Sequence, residues 1–161
     1  MLPFRRILMT TDFSETSLEA FPVAVEIASH FDAELLLVHI LPVDTPTPWD
    51  IPPYADFGLA SLPLPEYEAQ VRQEVERRLA MVAAKHVHGV KVRGLVGRGD
   101  AAGEINRMAT SEKADLIVLA THGWTGWRHL VFGSVAEKVL REAPCPVLSV
   151  RSPARENPPW T

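Results

Sequence analysis

Short apolar runs alternate along this chain with longer segments in which apolar residues recur every three or four positions. Runs of this length, apolar on both faces, are typical of buried parallel strands. Five such runs predict five strands, at Arg5–Thr11, Glu34–Ile40, Val90–Val96, Leu116–Leu119 and Pro146–Val150.

The segments between these runs predict helices. They span Ser14–His30, Pro65–Lys85, Asp100–Ser111 and Val135–Glu142, with Ser14, Asp100 and Ser134 as N-caps. Pro22 interrupts the first of them, and since proline removes a helical hydrogen bond we expect a kink there rather than two helices. Strands that alternate with helices predict an α/β fold with a parallel sheet and right-handed crossovers.

The length of 161 residues predicts one domain over residues 1–151. Seven of the fourteen prolines lie between Pro42 and Pro65, a density that excludes regular structure and predicts an irregular insertion. That insertion is a lid, a partner surface or a variable connection. Residues 152–161, with three prolines, are expected to form a flexible tail.

Charge and composition narrow the classes of partner. A formal net charge of −4 without a Lys/Arg cluster argues against nucleic-acid binding. The chain has no run of 18 apolar residues and no apolar leader at its start, which predicts a cytoplasmic protein that does not cross a membrane. Cys145 has no internal partner for a disulfide, and its apolar surroundings predict a small buried hydrophobe.

The chemistry of the sequence is concentrated after the fourth strand. Small and polar residues follow it, and Gly133-Ser134 precedes the last helix. Free N–H groups at a helix start, beside a glycine loop at the end of a strand, bind anions. The natural anion for this arrangement is phosphate.

This region resembles the nucleotide-binding signature of the universal stress protein family, G-x-x-G-x9-G-[ST]. Here the pattern reads Ala120-x-x-Gly123, nine residues, Gly133-Ser134. The segment GSVAEKVLREAPCPVLSVR resembles the closing helix and strand of the family, and ILMTTDFSETS resembles its opening strand and turn. The resemblance extends from Arg5 to Arg151 and is interrupted by one divergent loop.

The resemblance implies an open, Rossmann-like, parallel five-stranded sheet of order 3-2-1-4-5 with helices on both faces. In that order the first and fourth strands are neighbours, and ligands of such sheets bind where the order reverses, beyond the carboxyl ends of the strands. Thr11-Asp12 and Ala120–Ser134 are both expected at that point.

The resemblance also implies an adenine-nucleotide site. Thr10, Asp12 and Ile40 would border the adenosine, with Asp12 near the ribose hydroxyls or near Mg²⁺ held by the phosphates; alternatively, Asp12 forms a helix-capping turn. Gly97 and Gly99 would close the ribose side or serve a plain turn. The predicted site residues are Thr10, Asp12, Ile40, Ala120, Thr121, His122, Gly123, Trp124, Thr125, Gly126, Arg128, Gly133, Ser134 and Val135.

Two residues depart from the family pattern. Ala120 replaces the first glycine of the signature, and Trp124 stands where the family often has arginine. The second change removes a charge partner of the phosphates and leaves Arg128 and His129 as the nearby cations. The change at Trp124 leaves open whether the site prefers ATP or prefers AMP or ADP. Three roles are open for Trp124: it would shield the site, stack on a base or contact another subunit.

These features predict an ATP- or adenine-nucleotide-binding regulatory module of the stress response. The alternatives are a slow ATPase or AMP-transferring enzyme of the same architecture, and an interaction protein whose pocket is empty or structural. No nucleophile–base pair, Walker lysine or metal-ligand set supports catalysis. His86-x-His88 looks like a metal-binding pair, but at the spacing i, i+2 on a helix the two rings point apart. The strand Pro146–Val150, at the edge of the implied sheet, predicts a homodimer, as is common in the family; alternatively, the tail at 152–161 covers this edge.

Overall fold

A computed structural model describes residues 3–43, 64–121 and 133–151. Their strands form one parallel sheet of order β3-β2-β1-β4-β5, which confirms the expected topology. The strands are β1 (Arg6–Thr10), β2 (Glu34–Leu41), β3 (Val92–Arg98), β4 (Leu116–Thr121) and β5 (Val147–Arg151). The insertion and the tail lie outside the described residues, apart from the ends of the insertion at 42–43 and 64–65.

The centre of the sheet is buried on both faces. Ile7, Leu8 and Met9 of β1 are fully inaccessible to solvent. Because successive side chains of a strand point to opposite faces, Ile7 and Met9 enter one apolar core and Leu8 enters the other. In register, Ile7 is aligned with Leu35 of β2 and with Leu116 of β4, so each layer of the core continues across three strands.

Helices cover both faces of the sheet, as the sequence predicted. They are α1 (Glu15–Leu18), α2 (Phe21–Phe31), α3 (Leu64–His86), α4 (Ala101–Ser111) and α5 (Ser134–Glu142). Phe21 of α2 and Leu79 of α3 pack into the core that holds Ile7. Ile105 of α4 and Val139 of α5 pack into the core that holds Leu8.

The prediction of one kinked helix around Pro22 was wrong. The chain forms two helices, because α1 ends at Leu18 and α2 begins at Phe21 with Pro22 in its first turn. A proline at that position loses no helical hydrogen bond, since the first N–H groups of a helix have no partner within it. Ser14 caps α1 as predicted, with its hydroxyl accepting a hydrogen bond from the Ser17 N–H at 3.1 Å.

Other boundaries move by one or two residues. The third strand extends through Arg98, so Gly97 lies within β3 and not in a turn. The helix α3 ends at His86 and His88 lies beyond it, so the two histidines do not share a helix and helical spacing does not set the directions of their rings. The His86 ring instead lies 5.3 Å from the ring of Phe21. Within the described ranges, no helix is both long enough and apolar enough to cross a membrane.

Cys145 is half-buried against the core that holds Leu8. Burial raises the pKa of its thiol, and the nearby Asp115 carboxylate raises it further. A thiol whose pKa is raised is a poor nucleophile at neutral pH. The expectation of a small, buried and unreactive side chain agrees with this environment.

The end of the sheet where the strands begin is held by an ion-pair network around Glu34. The Glu34 side chain, 14% exposed, lies 3.3 Å from Lys91, 3.5 Å from Arg93 and 3.8 Å from Arg6. Arg93 also pairs with Glu112 at the end of α4, at 2.6 Å. The network therefore joins the starts of three strands to one helix.

We expect Glu34→Gln to lower the free energy of unfolding by about 1 kcal/mol, or roughly 2–4 °C in Tm, because it leaves three cations without their shared partner. Glu74→Gln is the matched control, since Glu74 is 59% exposed and its salt bridge joins it to Arg77, a neighbour on its own helix. Thermal unfolding of both variants should show a shift for Glu34→Gln alone. Equal shifts would contradict the role assigned to the network.

Candidate functional site

A cavity of about 320 Å³ lies beyond the carboxyl ends of β1, β2 and β4. This is the point where the sheet order reverses, because the chain leaves β1 for β2 on one side and later returns to β4 on the other. The helices α4 and α5 both begin at this cavity. Its lining residues are Thr10, Thr11, Asp12, Ser14, Thr16, Ser17, Val38, His39, Ile40, Ala101, Ile105, Leu119, Ala120, Thr121, Gly133, Ser134, Val135 and Ala136.

The structure brings together every predicted site residue that it describes. These residues are Thr10, Asp12, Ile40, Ala120, Thr121, Gly133, Ser134 and Val135, and all of them line the cavity. They come from three strand ends and one helix start, which are far apart in sequence. The other predicted site residues, His122, Gly123, Trp124, Thr125, Gly126 and Arg128, lie outside the described residues.

The start of α5 differs from the prediction in one respect. Gly133, not Ser134, is the N-cap, and among the described residues no side chain caps this helix end. The first backbone hydrogen bond of the helix runs from the Glu137 N–H to the Gly133 carbonyl at 3.0 Å. The N–H groups of Ser134 to Ala136 therefore precede the helical ladder, and all three residues line the cavity.

Gly133 is not required by the backbone. Its φ of −55° is accessible to any residue. A Cβ at this position would meet no atom of the described residues within 4 Å. Neither a tight turn nor close packing within the described part of the chain accounts for glycine here, and Gly133 lines the cavity.

The start of α4 is capped, in contrast to α5. The Asp100 carboxylate accepts a hydrogen bond from the Gly103 N–H at 2.9 Å and one from Lys138 of α5 at 2.8 Å. The hydrogen bond from Lys138, followed by that from Gly103, lowers the pKa of Asp100. Because a carboxylate already satisfies α4, the start of α5 is the better of the two for binding an external anion.

The turn after β1 is held by its own hydroxyl and carboxylate groups. The buried Thr11 hydroxyl accepts a hydrogen bond from the Phe13 N–H at 3.0 Å and shares another with the Ser17 hydroxyl at 2.9 Å. Asp12 accepts from the Ser14 N–H at 2.9 Å, which is the capping turn considered as its alternative role. The exposed Asp12 carboxylate nevertheless lines the cavity.

Asp12 is ionised at neutral pH. Partial burial raises the pKa of its carboxyl, but hydrogen bonds from Ser14 and Ser17 together outweigh that effect, and the net pKa lies below its ordinary value. An ionised carboxylate accepts hydrogen bonds from hydroxyl groups and binds cations.

No group of three or more His, Cys, Asp or Glu side chains in the described ranges could hold a metal ion. A cation near Asp12 would therefore need ligands from a bound molecule or from the undescribed segments.

His39 is a lining residue that sequence reasoning did not assign to the site. Its side chain is partly buried, and its Nδ1 lies 2.8 Å from the Thr11 carbonyl oxygen. Its place next to Ile40 at the end of β2 was the available signal. Ala101 and Ile105 were missed as well, because only the packing of α4 against the sheet brings them to the cavity.

Gly97 and Gly99 do not line the cavity. Gly97 is aligned with Ile40 in the sheet, and a Cβ there would lie 2.6 Å from the Ile40 Cδ1 atom. Gly99 has a φ of +142°, a conformation that favours glycine. Close packing at Gly97 and the backbone turn at Gly99 explain the two residues.

Solved structures share this architecture. That of the hypothetical protein MJ0577 has a TM-score of 0.69 and 25% sequence identity, and the match covers 96% of this chain and 98% of that one. A universal stress protein in complex with cAMP has a TM-score of 0.62 at 20% identity, covering 92% of this chain and 97% of the other. One from Arabidopsis thaliana with AMP bound has a TM-score of 0.58 at 17% identity, covering 96% and 97%. At these two lower identities the likeness is one of fold.

Sequence comparison gives the same family. Universal stress protein MJ0531 of Methanocaldococcus jannaschii is 37% identical over 153 residues, which are 95% of this chain and 85% of that protein. A universal stress protein of Thermus aquaticus is 35% identical over 156 residues, with coverage of 92% and 99%. The model of the universal stress protein family matches residues 3–151. With this match over nearly its whole length, and with the parallel sheet described above, the chain belongs to the universal stress protein family.

Proposed function

We propose that this protein binds an adenine nucleotide in the cavity and acts as a cytoplasmic, nucleotide-dependent regulatory module of the stress response. The observation that carries the proposal is the start of α5, which no side chain of the described residues caps and which lines the same cavity as the ends of β1 and β2. An anion-binding helix end and a partly apolar cavity side by side suit a ligand that joins a phosphate to a base.

The phosphate would lie against the start of α5. The N–H groups of Ser134, Val135 and Ala136 and the Ser134 hydroxyl supply donors, and the helix dipole adds partial positive charge. The open space at Gly133 permits a phosphate oxygen to approach the backbone. Gly123, Gly126 and Arg128 remain proposed contacts from the undescribed segment.

The adenosine would lie toward β1 and β2. Val38, Ile40, Ile105 and Leu119 give this part of the cavity apolar surface for a base. The ionised Asp12 carboxylate would accept hydrogen bonds from ribose hydroxyls, or would join Mg²⁺ whose other ligands come from the phosphates. The cavity volume of about 320 Å³ falls at the lower end of the range of small-molecule sites.

Known relatives of this fold support the choice of ligand. Proteins of similar fold have been solved with cAMP and with AMP, as reported above, and one from Archaeoglobus fulgidus with dAMP has a TM-score of 0.57 at 19% identity and covers 92% of this chain and 98% of that one. All three ligands contain adenine and a single phosphate group.

The test is direct. Mass spectrometry should identify an adenine nucleotide released from the purified protein, and calorimetry should show binding of AMP, ADP or ATP by a nucleotide-free sample. Addition of Mg²⁺ should tighten ATP binding more than AMP binding, because the metal offsets the larger phosphate charge. Absence of binding by all three nucleotides would favour an interaction protein with a structural pocket. Measurable turnover of ATP would favour the enzyme.

Trp124→Arg tests the preference among nucleotides, although Trp124 lies outside the described residues. If the position faces the phosphates, the substitution should raise ATP affinity more than AMP affinity, by about tenfold for one charge-assisted contact of roughly 1.5 kcal/mol. Parallel titrations with both nucleotides provide the measurement. An equal change for both ligands would show that the residue does not face the phosphates.

We also propose a homodimer formed through β5. In the observed order β5 is an edge strand with one neighbour, β4. Its outer edge presents backbone groups that a second copy of the chain, related by a two-fold axis, would pair with.

A further inference from the structure

Three side chains from three separate elements form a stack beside the cavity. The Arg78 guanidinium carbon lies 4.4 Å from the centre of the Phe13 ring. The Phe13 ring in turn lies 4.5 Å from the His39 ring, with 31° between their planes. Arg78 belongs to α3, Phe13 to the turn after β1 and His39 to β2, so the stack connects an outer helix to the turn that carries Asp12.

The middle member of the stack has an unfavourable backbone conformation. Phe13 has a φ of +65°, in the left-handed region that L-residues with bulky side chains seldom adopt. The conformation directs the Phe13 N–H to the Thr11 hydroxyl, at 3.0 Å. Asp12 and Ser14, which flank Phe13, make the capping turn that holds the carboxylate at the cavity. The hydrogen bonds within the turn offset part of this strain, and contacts with other elements add to their effect.

Arg78 provides stabilisation of that kind. Its neighbours Arg77 and Arg72 pair with Glu74 and Glu76 on the surface of α3. Arg78 also attracts Glu74, but it places its guanidinium over an aromatic face, a contact that is favourable because the face carries partial negative charge. Arg78 does not line the cavity, and its contact with Phe13 connects it to the turn that does.

We propose that Arg78 is a positioning residue for the ligand site, acting through Phe13 on the turn that presents Asp12. The inference rests on the proposed nucleotide function only for its effect on affinity. Without the cation the strained turn is less populated, and the apparent affinity falls in proportion to the fraction of protein that retains it. Through Arg78, ligand affinity is linked to the helix α3, which lies outside the cavity. In the chain, α3 comes after the proline-rich insertion.

The first experiment compares Arg78→Met with Arg77→Met. Both replace an arginine by a straight side chain at adjacent positions of α3, but only Arg78 contacts Phe13. Calorimetric titration with AMP should show a roughly two- to fivefold loss of affinity for Arg78→Met, the size of one exposed cation–π contact, and none for Arg77→Met. Arg78→Lys, which keeps the cation, should recover most of the affinity. An equal loss in both methionine variants would mean general damage to α3 and would overturn the proposal.

A second variant tests whether strain at Phe13 is the link. Glycine adopts the left-handed conformation freely, so Phe13→Gly removes both the strain and the ring that Arg78 contacts. In the Phe13→Gly background, Arg78→Met should have no further effect on AMP affinity. A full two- to fivefold effect in that background would show that Arg78 acts by another route.

The third measurement does not need a ligand. Amide chemical shifts and hydrogen-exchange rates of Ser14 and Ser17 report the two hydrogen bonds of the turn, to Asp12 and to the Ser14 hydroxyl. Arg78→Met should shift these amides and speed their exchange, whereas Arg77→Met should not. Failure of the wild-type protein to bind AMP, ADP and ATP would refute the proposed function and leave this measurement to decide on Arg78. Unchanged amides in Arg78→Met would overturn the positioning role whether or not nucleotide binds.

Discussion

Replacing Gly133 by aspartate should abolish nucleotide binding while leaving the protein at least as stable as the wild type. The backbone at this N-cap has φ −55° and ψ 149°, which suits a capping residue, and the described residues leave room for its side chain. Aspartate is among the best N-caps, because its carboxylate accepts hydrogen bonds from the next N–H groups. In this protein those groups are the proposed donors to phosphate.

The substitution should therefore weaken nucleotide binding and raise the stability of the fold. Loss of charge-assisted contacts of about 1.5–3 kcal/mol, together with repulsion between carboxylate and phosphate, should weaken AMP and ATP at least a hundredfold. A gain of about 0.3 kcal/mol from capping would raise Tm by roughly 1 °C. Calorimetry with both nucleotides and a thermal melt provide the two measurements.

Gln73→Glu is the matched control for Gly133→Asp. Gln73 is an exposed residue of α3 that does not line the cavity, and the change adds the same single negative charge to the protein. Its nucleotide affinity should equal that of the wild type. Unchanged affinity in a folded Gly133→Asp variant would refute the phosphate site, whereas a marked fall in its Tm would refute the account of the helix start.

Ser149→Pro should convert the proposed homodimer into a monomer. The Ile117 N–H donates to the Pro146 carbonyl at 3.0 Å, and Ile117 is aligned with Val147 in the β4–β5 ladder. Because backbone groups of alternate residues point to opposite sides of a strand, the groups of Val147 and Ser149 point to the open edge of the sheet. Proline at 149 therefore removes an edge donor and adds a ring there, without taking a hydrogen bond from β4.

Ser149→Ala is the control for this change. It loses the hydroxyl that lies 3.2 Å from the Thr121 hydroxyl but keeps the edge N–H. Because both copies in a two-fold dimer carry the substitution, it affects the interface twice. Ser149→Pro should therefore weaken association at least tenfold, and sedimentation at micromolar concentration should show a monomer. Ser149→Ala should remain a dimer. A wild-type monomer would instead favour an edge covered by the tail, and a dimeric Ser149→Pro variant would place the interface elsewhere.

The sequence by itself determined the elements of this fold and the region of its site. Five short apolar runs and the helical spacing between them predicted every strand and most helix boundaries, since burial on both faces of a parallel strand leaves a direct pattern. The strand order 3-2-1-4-5 came from the resemblance to the family, and the structure confirms it. The motifs at Thr10–Asp12 and Gly133–Val135 indicated the cavity, because residues after parallel strands gather at one end of a sheet.

The tertiary structure decided what local patterns do not encode. A second helix begins at Phe21, because Pro22 fits within the first turn of α2, where no helical hydrogen bond is lost. Gly133 is the N-cap of α5. Only the positions of the surrounding atoms show that a larger residue would meet no described atom within 4 Å of its Cβ. Ala101 and Ile105 reach the cavity through the packing of α4. The stack of Arg78, Phe13 and His39 joins residues up to 65 positions apart, and such contacts have no periodicity in the sequence because they depend on how whole elements are placed against one another.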